Sequence, residues 1–193
     1  MSFSGASVSL RTAVFPRTSA LTNAVAIVAG VLFLAALAQI ALPVPGSPVP
    51  VTGQTLGVLL LGASYGASLG VTTFLTYMLV GLAGAPIFAG GGHGLARLTG
   101  PTGGYLVGML LASLLIGSLA GRKWDQRIQT AIPTMILGNV VIFSFGLLWL
   151  HHYTDKSWAW TFSAGLTPFI LGEILKVAIA GTSLPLVWRF IQK

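Results

Sequence analysis

The residues best suited to chemistry are Glu173 and Lys176, which lie inside one apolar stretch near the end of the chain. A charged side chain in a membrane helix costs roughly 2.5 to 3.5 kcal/mol on insertion scales, so two of them require a compensating interaction. Their i,i+3 spacing places them on one helix face, where they can pair. A carboxylate accepts N–H donors and an ammonium donates to a carbonyl oxygen, so the pair predicts a site for a neutral polar group such as a urea or an amide.

Two other interpretations of this pair stay open. The first is a self-satisfied ion pair that locks the helices together, although buried pairs add little net stability. The second is a proton relay. A relay normally needs a chain of ionisable groups across the bilayer, and the cytoplasmic half of the apolar segments offers no partner acid.

The composition excludes an ordinary soluble protein. Of 193 residues, 54% are hydrophobic and 7% are charged, whereas soluble domains carry about 25% charge. Ten Lys and Arg stand against three acids, for a formal charge of +7. The basic residues lie between long apolar runs rather than in one wettable cluster, which argues against nucleic-acid binding and for orientation in a lipid bilayer. The absence of cysteine excludes disulfides and thiolate metal sites.

Six apolar segments predict an all-α membrane protein, a compact bundle of six transmembrane helices. The first is long enough to span a bilayer, whereas the second and third are short and the break between them is rich in glycine (Gly62, Gly66 and Gly70). We predict a polar cytoplasmic N-terminal segment over 1–21 and a six-helix domain over 22–193. The six segments cover 22–42, 54–67, 69–84, 105–120, 132–150 and 168–190.

The loops set the orientation. With six spans, both termini share one side of the membrane, and most basic residues outside the spans lie on that side: Arg11, Arg17, Arg122, Lys123, Arg127 and Lys193. The other side carries only Arg97 and Lys156. Basic loops favour the cytoplasm, so we expect both termini to be cytoplasmic.

Both large outward loops are unusual. Residues 43–53 contain four prolines and no charge, which predicts a stiff lid over the outer mouth. Residues 85–104 are rich in glycine, so exposed backbone groups there can bind a polar ligand, or the small residues can simply permit tight packing. The run Gly90–Gly94 is not followed by Gly-Lys-Ser or Gly-Lys-Thr, so it is not a phosphate loop and the chain carries no ATPase of its own.

The polar residues do not predict an enzyme. Intramembrane catalysis needs paired acids, a nucleophile with its base, or metal ligands, and apart from Arg189 at the last helix end the six segments offer only Glu173 and Lys176 as charged groups. The pair His151–His152 has too few converging ligands for a metal site, and we expect no cofactor. Asn139 in the fifth segment is a further polar candidate, either for an interhelical hydrogen bond or for a ligand.

Four motifs together resemble the BioY family, the biotin-specific S components of energy-coupling factor (ECF) transporters. They are Pro48-Val-Pro-Val-Thr-Gly-Gln-Thr55, Pro86-Ile-Phe-Ala-Gly-Gly91, Gly100-Pro-Thr-Gly-Gly-Tyr105 and Gly172-Glu-Ile-Leu-Lys176. The resemblance extends from about Thr22 to the C-terminus. The family usually has aspartate in the Gly-Asp-x-x-Lys pattern, and Glu173 keeps the acceptor chemistry on a side chain one methylene longer.

The resemblance implies a biotin site near the outer face. The ureido ring of biotin would meet Glu173 and Lys176, and its thioether ring would meet Phe88 and the proline-rich loop. The valerate carboxylate would sit toward water, near Arg97 or backbone N–H groups. The other candidate binding residues are Gln54, Tyr77, Gly90, Gly91 and Tyr105. Ordinary helix packing explains Gln54, Tyr77 and Tyr105 equally well.

The resemblance also implies partners and a location. The expected partners are a transmembrane coupling protein and two ABC ATPases, with high-affinity biotin uptake across the bacterial cytoplasmic membrane as the function. Coupling would use a small-residue face of the first helix, for which the nearest match is Ala26-Ile-Val-Ala-Gly30. The alternative is a stand-alone biotin carrier without an energising module. An S component for another vitamin would share the fold but not these loops.

Overall fold

The computed structural model describes residues 9–192, and these are mostly helical. A short helix precedes the bundle, five long helical elements build it, and short helices and turns close its outer end. The α-helices are α1 (Leu10–Val14), α2 (Ala20–Gln39), α3 (Gln54–Leu82), α4 (Leu95–Thr99), α5 (Gly103–Ala120), α6 (Ile128–Thr154), α7 (Trp158–Gly165) and α8 (Ile170–Ile191).

Five helical stretches in the described residues are long and apolar enough to cross a membrane. The predicted second and third segments both fall within one of them, α3. The sixth predicted segment matches α8, which follows a 3₁₀ turn over Thr167–Phe169 that holds Pro168 in its first turn. The stretches are Ala20–Gln39, Gln54–Leu82, Gly103–Ala120, Ile128–Thr154 and Trp158–Ile191.

Helix α3 is a hairpin of two antiparallel arms, and Gly66 makes its turn. Gly66 has φ 78° and ψ 175°, a conformation that is essentially restricted to glycine. A Cβ added at Gly70 would lie 3.4 Å from the Cα of Gly62, although eight residues of continuous helix span about 12 Å. The arms, 54–65 and 67–82, bring the count of apolar crossings in the described residues to six. The predicted six-helix membrane bundle is thereby confirmed.

The N-terminal segment lies at the cytoplasmic end of the bundle, next to the turn between the two α3 arms. Ser9 lies next to Gly66, and Gly117 of α5 packs against the backbone of Ala67. Residues 9–19 include α1, which packs on α3, so the described part of the predicted N-terminal segment is attached to the bundle.

Asp125 fastens the other cytoplasmic loop to the end of α8. Its carboxylate is buried and accepts a hydrogen bond from the indole N–H of Trp188. Burial raises the pKa of Asp125 to about 6, although the bond from Trp188 opposes that shift. This contact holds the α5–α6 loop and the end of α8 at the same end of the bundle as Gly66.

Close helix contacts depend on small residues. A Cβ at Gly108 of α5 would lie 2.8 Å from the backbone of Ile142 in α6, so these two helices approach without an intervening side chain. Gly30 of α2 likewise packs against Thr73 and Tyr65 of α3. Helices α3 and α5 are central to this packing, and the outer ends of the two α3 arms lie beneath the loops.

The two outward loops close the outer end. Strands β1 (Ala41–Leu42) and β2 (Val51–Thr52) pair antiparallel, which ties the proline-rich loop into a hairpin. Val49 in that loop is only 4% exposed, so the hairpin folds inward as a cover. In the second loop, Phe88 is buried against Gly81. The lid predicted over 43–53 is therefore present as a paired hairpin.

The turn at Gly66 generates a prediction about stability. Gly66→Ala places a Cβ on a backbone that L residues rarely adopt, at an expected cost of about 1 to 3 kcal/mol. The melting temperature of the detergent-purified protein should fall by several degrees. Gly172→Ala is the matched control, because its added Cβ meets only Val51 at an ordinary 3.8 Å. Equal melting temperatures for the two variants would contradict the hairpin.

Candidate functional site

A cavity of about 50 Å³ lies at the outer end of the bundle, beneath the two loops. Side chains from both loops and from the outer parts of α3, α5, α6 and α8 form its wall. The lining is mostly apolar, with a few polar groups. The lining residues are Val49, Pro50, Thr52, Gln54, Thr55, Phe88, Ala89, Arg97, Thr102, Tyr105, Leu106, Met109, Phe143, Phe169 and Glu173.

Glu173 is the acidic group on the cavity wall, and both of its oxygens are held. Oε1 accepts from the Thr55 hydroxyl at 2.8 Å and from the Lys176 ammonium at 2.7 Å. Oε2 accepts from the Asn139 amide at 3.1 Å. The carboxylate therefore joins α8 to α3 and to α6. Three of its about four acceptor positions are used by these donors, which leaves one position on Oε2.

Lys176 lies behind Glu173 rather than on the cavity wall. Its ammonium donates to Glu173 at 2.7 Å, to the Thr55 hydroxyl at 2.9 Å and to the Thr52 carbonyl at 2.6 Å. An ammonium has three donors, and three acceptors surround it here. In this structure Lys176 therefore supports Glu173, and its direct contact with a ligand carbonyl stays a prediction.

Gln54 and Tyr77 form a second polar chain across the α3 hairpin. The Gln54 amide donates to the Tyr77 hydroxyl at 2.9 Å, and that hydroxyl donates to the Ile87 carbonyl at 2.9 Å. Gln54 lines the cavity, whereas Tyr77 is fully buried beside it and joins α3 to the second outward loop. The Gln54 amide has two N–H donors, and the second is not used in these hydrogen bonds.

Aromatic rings form the apolar side of the cavity. Tyr105, Phe143 and Phe169 contact one another with centroid separations of 5.8 to 6.5 Å. The Tyr105 hydroxyl donates to the Gly165 carbonyl at 2.8 Å, so its polar end is bound within the protein. Phe88 approaches from the second loop and packs edge-on against Tyr77. This wall suits an apolar ring of a ligand.

Arg97 brings a positive charge to the mouth of the cavity. It is half-buried, lines the cavity, and its guanidinium packs over Gly92. Among residues 9–192 it has no carboxylate partner within 4 Å. The predicted backbone sites Gly90 and Gly91 form a turn with positive φ in the same loop, but Ala89 rather than either glycine lines the cavity.

Several lining residues were not among the sequence candidates. Thr55, Met109, Phe143 and Phe169 are apolar or weakly polar residues within apolar helices, and their types alone carry no sign of a site. Asn139 carried a signal, as an amide in an apolar segment, and it makes the interhelical hydrogen bond to Glu173. Its other amide atom, Oδ1, is buried without a partner in the described chain.

The candidate coupling residues lie on the face of α2 toward α3. Gly30 is buried against Thr73 and Tyr65, and the Ala26 carbonyl accepts from the Tyr65 hydroxyl at 2.9 Å. Their small size is therefore used within the chain. The opposite face of α2 is exposed and forms a shallow groove over Ala24, Val25, Val28, Ala29 and Leu32.

The chain is similar in sequence to known proteins over most of its length. The sequence model described as the BioY family matches residues 9–193. The biotin transporter BioY2 of Lactococcus lactis is 37% identical over 78% of this chain and 81% of its own length. A probable biotin transporter BioY of Pyrococcus horikoshii is 35% identical over 69% of this chain and 76% of its own.

A solved structure shares the fold. The crystal structure of an S-component for biotin from an ECF-type ABC transporter superposes with a TM-score of 0.81, at 22% identity, over 92% of this chain and 96% of that one. With a family match over nearly its whole length and relatives above 30% identity, the chain belongs to the BioY family.

Proposed function

We propose that this multi-pass membrane protein binds biotin in its outer cavity and serves as the substrate-binding subunit of an ECF-type transporter. The observation that carries the proposal is the Glu173 carboxylate, fixed on the cavity wall by Thr55, Lys176 and Asn139. The named relatives of the chain are biotin transporters, and the family is a transporter family rather than an enzyme family.

The ureido ring of biotin matches the polar side of the cavity. It has two N–H donors and one carbonyl, and an ionised carboxylate is an acceptor only. Glu173 would accept one ureido N–H at the acceptor position that Oε2 keeps, while the remaining N–H of Gln54 is available to the ureido oxygen. Hydrogen bonds to a charged acceptor contribute about 1.5 to 3 kcal/mol, so this contact would dominate selectivity.

Lys176 would act as a positioning residue. Its ammonium neutralises Glu173 and joins it to the Thr52 carbonyl in β2, next to the covering loop. Without this cation the carboxylate would be a buried charge beside the neutral donors of Thr55 and Asn139 alone, and its position on the cavity wall would no longer be fixed from α8.

The rest of biotin matches the apolar wall and the mouth. The thioether ring would pack between Phe88, Phe143 and Phe169. Phe88 lies in the second outward loop, Phe143 in α6 and Phe169 in the turn before α8. The valerate carboxylate would reach Arg97, the half-buried cation of the mouth. Charge-assisted pairing of this kind is about twice as strong as a neutral hydrogen bond.

Biotin titration calorimetry on the detergent-purified chain tests the polar site. Glu173→Gln should weaken binding about tenfold to a hundredfold, because it replaces a charged acceptor by a neutral amide. Lys176→Ala should weaken binding similarly through loss of the neutralising cation. Lys156→Ala, at the outer loop between α6 and α7, is the matched control and should bind as the wild type does.

The controls separate binding from folding. Each variant is compared with the wild type by melting temperature, so a loss of affinity counts only for a folded protein. Unchanged affinity in folded Glu173→Gln and Lys176→Ala would move the site elsewhere and leave the pair as a structural lock. No binding by the folded wild type would contradict biotin as the ligand.

Arg97 allows an independent test with a modified ligand. If Arg97 pairs with the valerate carboxylate, Arg97→Gln should weaken binding of biotin by about tenfold. Biotin methyl ester lacks the carboxylate charge, so wild type and Arg97→Gln should bind the ester with equal affinity. A loss that is the same for acid and ester would contradict the pairing and assign Arg97 to loop packing.

We further propose that the partners are a transmembrane coupling protein and two ABC ATPases. Energy coupling requires them, because the chain has no phosphate-loop motif. The exposed face of α2 around Ala24 and Val28 is the better docking surface, since Ala26 and Gly30 face α3. Small exposed residues there let a partner helix approach closely.

Co-purification from cells that express the whole transporter tests this surface. Ala24→Trp should reduce recovery of the coupling protein at least tenfold, because a large side chain separates the helices. Leu148→Trp is the control, as Leu148 is also exposed but lies on α6. Full recovery with Ala24→Trp would exclude this face, and undiminished biotin uptake in cells without the other subunits would instead support the stand-alone carrier.

A further inference from the structure

Arg11 is a buried cation at the cytoplasmic end of the chain. It is only 8% exposed, and one of its terminal nitrogens donates to Asn23 at 2.7 Å and to Thr22 at 3.2 Å. No carboxylate within residues 9–192 pairs with it. A guanidinium has five N–H donors, and within residues 9–192 only these two hydrogen bonds use them. A buried charge normally requires a counter-charge.

The sequence offers few acids that could neutralise Arg11. Its three acidic residues all lie in the described part of the chain. Glu173 is held by Lys176, Asp125 by Trp188, and Asp155 follows α6 at the outer face. The counter-charge for Arg11 is therefore expected from outside these side chains.

A polar cavity of about 750 Å³ adjoins Arg11. It lies between α1, α2, the Gly66 turn and the end of α5, and a second cation, Arg122, stands on its rim. Hydroxyl groups supply most of the other polar lining, together with one amide. These polar lining residues include Ser9, Thr12, Asn23, Ser68 and Ser118. Two arginines and several hydroxyls are the donor set that suits a phosphate.

An apolar groove of about 560 Å³ starts at the same arginine. Its lining includes Phe15, Leu21, Val25 and Ala29, and the first three are 62 to 73% exposed. The last three are spaced by one helical turn, so the groove follows α2 for about 12 Å into the membrane. A ligand that fills both spaces has an anionic head and an apolar tail.

We propose that Arg11 and Arg122 bind the phosphate of an anionic phospholipid of the cytoplasmic leaflet, with one acyl chain in the groove along α2. The phosphate supplies the missing counter-charge, and the chain covers the exposed apolar residues beside α1. The formal charge of +7 favours a lipid with net negative charge over a zwitterionic one. The site lies at the opposite end of the bundle from the biotin cavity and does not depend on biotin binding, although its groove shares Val25 and Ala29 with the α2 face proposed for the coupling protein.

Nanodiscs of defined composition test this site. The full chain is placed in pure phosphatidylcholine or in phosphatidylcholine with 30% phosphatidylglycerol, and melting is followed by tryptophan fluorescence. Phosphatidylglycerol should raise the melting temperature of the wild type by several degrees, and Arg11→Gln should lose at least half of that shift. Arg17→Gln removes the same charge from an exposed position nearby and should keep the shift.

Two further measurements separate the outcomes. Native mass spectrometry from detergent should show one retained phosphatidylglycerol on the wild type and on Arg17→Gln, and none on Arg11→Gln. Arg122→Gln changes an exposed residue, so it should fold and lose part of the shift even where Arg11→Gln does not fold. A full phosphatidylglycerol shift in folded Arg11→Gln, or in Arg122→Gln where Arg11→Gln does not fold, overturns the proposal.

Inorganic phosphate distinguishes a lipid from a free anion. In detergent without lipid, phosphate alone should protect the wild type less than phosphatidylglycerol does, because it leaves the groove empty. Equal, Arg11-dependent protection by inorganic phosphate would overturn the lipid assignment in favour of a soluble anion.

Discussion

The ion pair between Glu173 and Lys176 is the interaction on which the outer end of the molecule depends. Two charges have been removed from water within a membrane helix, and their mutual attraction alone repays little of that cost. The structure meets the cost with further hydrogen bonds from Thr55 and Asn139 and with the Thr52 carbonyl. Each of these partners comes from a different part of the fold, so the pair also fixes how α8, α3, α6 and the loop hairpin meet.

This arrangement links the binding site to its cover. The acceptor for Lys176 in the hairpin is a backbone carbonyl of β2, and β2 pairs with β1 to close the proline-rich loop. The Lys176 ammonium therefore connects Glu173 directly to the covering loop. The second loop is attached in a similar way, because the Tyr77 hydroxyl bonds the Ile87 carbonyl and receives the Gln54 amide. The cavity floor and both covers are attached to the outer ends of the two α3 arms.

The sequence was most informative where a residue type conflicts with its surroundings. Glu173 and Lys176 stand out as charges in an apolar segment, and a glycine-rich run marks the break between two short segments, so the pair and the six crossings were predictable. The aromatic wall was not, because Phe143 and Phe169 look like any apolar residue of a membrane helix until the helices are packed. The supporting position of Lys176 was also hidden, since i,i+3 spacing gives the pairing but not the direction of the cavity.

Small residues illustrate the same limit in α2. The pattern Ala26-Ile-Val-Ala-Gly30 predicts close helix contact, and the contact exists, but it is made with α3 inside the chain. Spacing alone does not say which neighbour a small face meets. Arg11 is the converse case: a basic residue counted only for orientation is buried next to a cavity. A largely buried cation thus lies at each end of the bundle. Lys176 has its counter-charge, Glu173, within the same helix. Arg11 lies at the membrane interface, where a lipid phosphate can supply the counter-charge.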